Sequence, residues 1–314
     1  MAKNASKNPV TPAESYPKLA DAVGLADANK LVFKREDLHP YGSHKGRSIP
    51  VMIDSYTQAG DRQFAISSSG NAALAAGLYV QESNAGKNAS DPLSLDIFVG
   101  NHIAPHKADK LKAIAANDDH IRVLLKERPL QALTQAMNEG ARSLRQSTDD
   151  LALIGYETLA EELAETAGAV EQNGSKKAGA VFIGTSSGTT AQALAEYFLK
   201  NKTPIQVHIV QTSSCHPIAE AFESYDGPDE ASIADAIVDK TAHRKETLVA
   251  LVGKTGGRGW TATNDEIEAA QDLVQEYIGL EISTNSALSV AGLMQAAALG
   301  WELPDVAICM ICGD

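Results

Sequence analysis

The stretch Ala180-Val181-Phe182-Ile183-Gly184-Thr185-Ser186-Ser187-Gly188-Thr189-Thr190-Ala191 runs from an apolar segment through a Gly/Ser/Thr loop into an Ala-rich helical pattern that continues to Leu199. Four apolar residues closed by a glycine read as a buried strand. The unit is therefore strand, loop, helix. Glycines let backbone N–H groups approach an anion without interference from Cβ. Ser and Thr hydroxyls add donors, and the start of a helix adds positive potential. The loop lacks the Gly-Lys-Ser/Thr ending of a nucleotide-binding P-loop and the Gly-x-Gly-x-x-Gly of dinucleotide binders. It reads as a cradle for a phosphate outside a nucleotide; the alternative is a Ser/Thr turn that only caps the helix.

The same alternation extends in both directions. Strands are predicted at Leu31–Lys34, Phe64–Ile66, Leu95–Val99, Ile121–Leu125, Ile205–Gln211 and Val306–Ile311. Helices are predicted over Ile49–Gln58, with Pro50 tolerable only in a first turn, and over Ala72–Glu82, Pro105–Ala116, Leu130–Leu144, Tyr156–Ala167, Asn264–Tyr277 and Ala287–Ala298. Such a pattern implies an α/β fold with largely parallel sheets and helices on both faces. Ligands then sit outside the carboxyl ends of the strands, in the following loops. The polar stretches Ser83–Ser94, Gly168–Lys177 and Tyr225–Glu230 read as connectors, and Gly256–Trp260 as a flexible loop.

The bulk numbers set limits. A chain of 314 residues suits one large α/β unit or two modest domains. A net charge of −13 lacks the basic footprint of a nucleic-acid binder. No apolar stretch has the length of a membrane span, and Met1-Ala2-Lys3-Asn4 reads as a polar lead-in, not a signal core. Three cysteines make no disulfide framework, so a reducing cytoplasm is the expected home.

Two further segments carry chemistry. Ser67-Ser68-Ser69-Gly70-Asn71 places hydroxyls and backbone donors at a helix start, which suits a carboxylate or an oxyanion, or else N-cap chemistry alone. In Pro40-Tyr41-Gly42-Ser43-His44-Lys45-Gly46-Arg47, Pro40 and Gly42 shape a turn that carries Lys45. A lone lysine is ordinarily solvated; desolvated or beside other cations, its amine becomes a Schiff-base nucleophile.

Together the three segments resemble the fold-type-II pyridoxal-phosphate family, the tryptophan-synthase-β superfamily. Its cofactor lysine lies in a Pro-Thr-Gly-Ser-Phe-Lys-Asp-Arg segment, matched by Pro40–Arg47; its Ser-Gly-Asn loop is matched by Ser69-Gly70-Asn71, and its phosphate loop by Gly184–Thr189. Within the family, threonine synthases are the nearest likeness. Val210-Gln211 with Pro217–Phe222, Ser232–Ile237, and Ser286-Ala287 with Val290–Leu293 follow their pattern in order, from about Leu31 to the C-terminus.

The resemblance implies two three-layer domains with the cofactor in the cleft between them. Residues 36–154 would form the smaller domain, and 1–35 with 155–314 the larger. It implies pyridoxal 5'-phosphate as cofactor and Lys45 as its Schiff-base anchor and as proton shuttle at the substrate Cα. Asn71 would meet the cofactor's phenolic oxygen. Ser68, Ser69, Gly70 and Asn71 would hold the substrate, and Gly184, Thr185, Ser186, Ser187, Gly188 and Thr189 the cofactor phosphate. Cys312 would lie beside the pyridine nitrogen. It also implies a homodimer. The activity implied is elimination or replacement on a small amino acid, with O-phosphohomoserine to threonine as the specific case. A serine/threonine dehydratase or β-replacing enzyme of the same fold is the nearest alternative; a catalytically silent relative that binds cofactor or amino acid is the other.

Several positions depart from the family. His44 stands for its Phe, Gly46 for its Asp, Tyr41 for its Thr, Ser283-Thr284 for a Glu-Pro pair, and Cys312 for a Ser or Thr. Other signals are weak. Cys309-x-x-Cys312, in a closing strand, suits neither a redox helix start nor a zinc site. His102 and His106 would be ligands at helical spacing only if a helix began before Pro105, and read instead as solvated histidines; Glu161, Glu162 and Glu165 read as a solvated helix face, and Asn88-Ala89-Ser90 as an unused glycosylation pattern.

Overall fold

A computed structural model describes residues 9–25, 30–85, 91–101, 103–168, 179–228 and 230–313. Met1–Asn4, Asn88-Ala89-Ser90, His102 and most of the 168–177 connector lie outside the described residues. The chain divides into two compact units, His39–Gly155, and Pro9–Leu38 with Tyr156–Asp314.

In chain order, the larger unit opens with strand β1 (Ala13–Ser15), helix α1 (Pro17–Val23) and strand β2 (Lys30–Arg35). The smaller unit then runs α2 (Lys45–Gln58), β3 (Gln63–Ser67), α3 (Asn71–Ala85), β4 (Ser94–Gly100), α4 (Pro105–Ala115), β5 (Ile121–Lys126), α5 (Pro129–Asn138), β6 (Arg142–Ser143) and α6 (Leu151–Ile154). The larger unit resumes with α7 (Glu157–Thr166), β7 (Gly179–Gly184), α8 (Thr189–Lys200), β8 (Ile205–Thr212), α9 (Lys245–Lys254), β9 (Gly259–Ala262), α10 (Asn264–Ile278), α11 (Thr284–Ala298) and β10 (Val306–Ile311).

The smaller unit's sheet has the order β5-β4-β3-β6, all parallel. Strand alternation splits its side chains between two faces. Phe64, Ile66, Leu95 and Ile97 pack with Ile49, Met52, Ala76 and Ile114 of α2, α3 and α4. Ala65 and Phe98 turn the other way, onto Leu133 and Ala136 of α5. This is a three-layer sandwich. The larger unit's sheet has the order β1-β2-β10-β7-β8-β9, parallel except for β1. One face carries Phe33, Phe182, Val210 and Cys309 against Leu19 of α1, Ile267 of α10 and Leu288 and Leu293 of α11. Helix α8 lies against β8 and is flanked by α7 and α9.

Four expectations need correction. Helix α2 begins at Lys45, not Ile49, so Pro50 lies inside it. Its first turn is closed by tight three-residue bonds, Gly46 N–H to Ser43 O (3.0 Å) and Arg47 N–H to His44 O (3.1 Å), which lets the chain turn helical ahead of the proline. Helix α5 stops at Asn138, because Gly140 takes a left-handed φ of +103° and β6 follows. Trp260 is buried in strand β9, not in a flexible loop. Glu162 leaves the solvated face of α7: it pairs with the buried amine of Lys34 and accepts the Thr11 N–H (3.3 Å). No described helix is long and apolar enough to cross a membrane.

Candidate functional site

Lys45 is the first residue of α2 and is half-buried. Its backbone N–H reaches Ser43 Oγ (3.3 Å), while its amine makes no hydrogen bond or ion pair among the described residues. The turn before it is drawn tight by Gly42 N–H to His39 O (2.8 Å), with Gly42 at φ +79°. A Cβ on Gly42 would lie 2.8 Å from Leu74 Cδ2, so this turn is seated on the first turn of α3. The Lys45 segment and the Ser-Gly-Asn loop are thereby brought together.

In that loop, Ser68 Oγ accepts the Gly70 N–H (3.3 Å), and Gly70 O accepts the first helical bond, from Leu74 N–H (3.1 Å). Gly70 is thus the cap of α3 and Asn71 its first residue. Ser69 is exposed, and the space where a Gly70 Cβ would stand is open to 4 Å. The donors of this helix start are accessible to a small anion.

Gly46 explains one departure. A Cβ there would fall 2.3 Å from His39 Nδ1 and 2.8 Å from Tyr41 Cβ. The buried His39 ring, whose Nδ1 accepts the Tyr41 N–H (3.2 Å), fills the place of any side chain. The glycine one position past the lysine, where the resembled family has Asp, is the sequence signal that something large stands there.

In the larger unit, Gly184 ends β7 and Gly188, at φ +85°, caps α8. A Cβ on Gly184 would stand 2.8 Å from Asn285 O, and one on Gly188 2.6 Å from Leu248 Cδ2, so both positions require glycine for close approach. The hydroxyls are not all free donors, as the sequence reading had them. Thr185 Oγ1 donates to Ile183 O (3.0 Å), and Ser187 Oγ pairs with Thr189 Oγ1 (3.0 Å). Ser186 Oγ accepts from the N–H groups of Val238 (3.1 Å) and Asp239 (3.2 Å), which leaves its proton to point elsewhere. Thr190, next in α8, has a buried Oγ1 without a hydrogen-bond partner among the described residues. An unmatched buried hydroxyl and the opening N–H groups of α8 suit an anion at this end.

Gln211 braces the loop, a role its sequence position alone did not reveal. Fully buried, it donates from Nε2 to Thr185 O (3.1 Å) and Ser186 O (3.4 Å). Its Oε1 accepts from Ile218 N–H (2.8 Å) and Ala219 N–H (2.9 Å).

The first turn of α11 gathers the rest. Asn285 abuts Gly184, and Ser286 Oγ accepts the Cys312 N–H (3.1 Å). Ser283 is the N-cap: it accepts the Ser286 N–H (3.2 Å) and donates to Gly313 O (2.9 Å). Ser283-Thr284, where the resembled family has Glu-Pro, is thus a helix cap that ties down the turn after β10. Cys312 is buried in that turn. Cys309, in β10, donates to Ser289 O (3.5 Å), and burial pushes its thiol pKa up. All three cysteines are buried, and none is in a disulfide among the described residues. Among the described residues, no group of three or more His, Cys, Asp or Glu could hold a metal ion.

Taken unit by unit, the Lys45 amine suits an aldehyde, and the Gly184–Thr189 loop suits a phosphate. Comparison with known proteins agrees. The model of a family described as pyridoxal-phosphate dependent enzyme matches residues 7–313. Threonine synthase of Methanosarcina acetivorans is 24% identical over 308 residues, covering 92% of this chain and 70% of that protein. Among solved structures, a pyridoxal 5'-phosphate-dependent aspartate racemase superposes with a TM-score of 0.80 at 19% identity, covering 97% of this chain and 90% of the other. The processed threonine deaminase isoform 2 of Solanum lycopersicum gives 0.75, also at 19% identity, over 97% and 84%.

Proposed function

Because this chain belongs to the fold-type-II family of pyridoxal-phosphate dependent enzymes, we propose that it catalyses elimination or replacement on a small amino acid, with O-phosphohomoserine converted to threonine as the specific reaction. The observation that carries the specific reading is the match to a threonine synthase along 92% of the chain. When bound, the cofactor supplies the electron sink for a carbanion at Cα. The protein supplies orientation and proton transfer. Lys45 anchors the cofactor aldehyde and moves the proton at the substrate Cα; its unpartnered amine suits both tasks. Ser68, Ser69 and Gly70 hold the substrate carboxylate at the start of α3, while Asn71 contacts the substrate and meets the cofactor's phenolic oxygen. Gly184, Thr185, Ser186, Ser187, Gly188 and Thr189 hold the phosphate. Cys312 faces the ring nitrogen. A thiol is a weak hydrogen-bonding group, so that nitrogen stays unprotonated, which nitrogen NMR of the holoenzyme tests. A cytoplasmic homodimer with residues 36–154 as the lysine-bearing domain completes the reading.

Adding pyridoxal phosphate to the purified protein is expected to give a visible absorbance band, absent in Lys45→Ala. Borohydride reduction followed by peptide mass spectrometry is expected to find the pyridoxyl mass on Lys45. Without the band, the assignment of Lys45 fails. Product analysis with O-phosphohomoserine then separates threonine plus phosphate from the 2-oxo acid and ammonia of a dehydratase. Turnover of no amino acid by protein that shows the band would favour a silent binding relative.

A further inference from the structure

We infer that the open edge of the smaller unit's sheet is a docking groove for the C-terminal end of another polypeptide, taken up as a short extra strand with its carboxylate on Arg145. The groove has a volume of about 710 Å³ and lies between the end of α2, helix α5 and strand β6. None of its residues belongs to the site proposed above, so the inference stands apart from that reading.

Three observations converge on this occupant. First, β6 ends the sheet order, with β3 on one side and no described strand on the other. Arg142 and Ser143 pair in parallel with Phe64 and Ala65, and Leu144 N–H donates to Ala65 O (2.9 Å). Strand alternation therefore turns the N–H and C=O of Ser143 away from β3 and into the groove that Ser143 lines. An edge residue with both backbone groups unspent is a template for an added strand.

Second, the charges are matched except for one. Arg142 pairs with Asp61 (3.0 Å) and lies over the Tyr56 ring, 4.6 Å from its centroid; the Tyr56 hydroxyl donates to Asp149. Arg145, half-buried on the same wall, makes no side-chain hydrogen bond or ion pair among the described residues. A half-buried guanidinium without a partner favours a carboxylate, which it can grip through two N–H groups. Third, the opposite wall offers Leu130 and Met137, about half exposed at 48% and 49%, and the buried Leu133. An apolar side chain next to the terminal carboxylate would cover them.

The test uses the full chain and a fluorescein-labelled hexapeptide of apolar residues that ends in leucine with a free carboxylate, read by fluorescence anisotropy. Saturable binding is expected. The amide-terminated peptide and the Arg145→Gln variant should each weaken it about tenfold or more, the loss of charge-assisted hydrogen bonds. Ser143→Pro removes only the outward N–H, since the bonds to β3 come from its neighbours, and should also weaken binding. Circular dichroism and the urea midpoint verify that the variants fold. Equal affinity for acid and amide, or for wild type and Arg145→Gln, would overturn the proposal. So would N-acetyl-leucine competing as well as the hexapeptide, which would mark a small-molecule pocket. A Met137→Glu variant that converts a dimer into monomers would mark the groove as a self-interface and likewise overturn it.

Discussion

The substitution of glycine for the family's aspartate at position 46 is compensated by a single ring. His39 occupies the volume a Gly46 side chain would need, at 2.3 Å from the ideal Cβ. Gly46→Ala must displace that ring or unwind the first turn of α2, which carries Lys45. We expect a loss of roughly 1–3 kcal/mol in urea denaturation, the usual cost of overpacking. His39→Ala in the same chain should restore much of it, as a double-mutant cycle would record. His208 offers a second test. It is stacked on Phe182 (4.4 Å), accepts from Trp260 Nε1 at its Nδ1 (3.1 Å) and faces Gln206 Oε1 through Nε2 (3.0 Å). Burial, aided by the nearby Arg258 charge, lowers its pKa from 6.5 to about 3. The fold holds the neutral ring, so its contribution to stability is complete above pH 6.5. As pH falls from there toward 3, stability should drop by about 1.4 kcal/mol per unit from this group. Urea midpoints of the wild type between pH 7 and 4 should therefore slope more steeply than those of His208→Gln, which cannot titrate.

At the scale of elements, strands announced themselves more clearly than the starts of helices. Val306–Ile311 was legible to the residue because six consecutive apolar residues are buried on both faces of a central strand. Strands β1, β6 and β9, of two to four residues, carry too few side chains to show a period of two. Helix α2 was read four residues late because Pro50 suggested a first turn, while the tight bonds ahead of it leave no sequence mark. The Gly184–Thr189 loop was legible as a strand–helix junction, since glycine closes an apolar run and an Ala-rich helical pattern follows. Its brace was not, because Gln211 acts through space on backbone atoms of a loop 25 or more residues away. Gln211→Leu should strand the N–H groups of Ile218 and Ala219 and cost about 2–4 kcal/mol in urea denaturation. Gln211→Glu keeps those two bonds but turns an acceptor toward the Thr185 and Ser186 carbonyls. It should retain more stability than the leucine variant yet bind pyridoxal phosphate more weakly than wild type, which absorbance titration would show.

The whole molecule is electrically lopsided. The stretch His39–Gly155 holds 12 Lys and Arg against 12 Asp and Glu, whereas Pro9–Leu38 with Tyr156–Asp314 holds 13 against 28. The Gly184–Thr189 cradle belongs to the acidic part. On the proposed reading, a phosphate there would be held by local N–H and hydroxyl groups against an unfavourable long-range field. Salt screens the field far more than the contacts. The association rate of pyridoxal phosphate should accordingly rise between about 0.01 and 0.15 M salt. Stopped-flow absorbance measures it, and a fall would show that the local field governs capture.

Strand β10 lies in the middle of the larger sheet, between β2 and β7. On the ribosome, this order has a cost in time. The smaller unit is complete once Gly155 emerges, but β2 and β7 have no neighbour in common until Val306–Ile311 has been translated. At ordinary elongation rates, the stretch from Tyr156 to Ile311 takes roughly ten to thirty seconds to make. Throughout that interval the apolar faces of β2, β7 and β8 wait without their central strand, a nascent chain that suits holding by a chaperone.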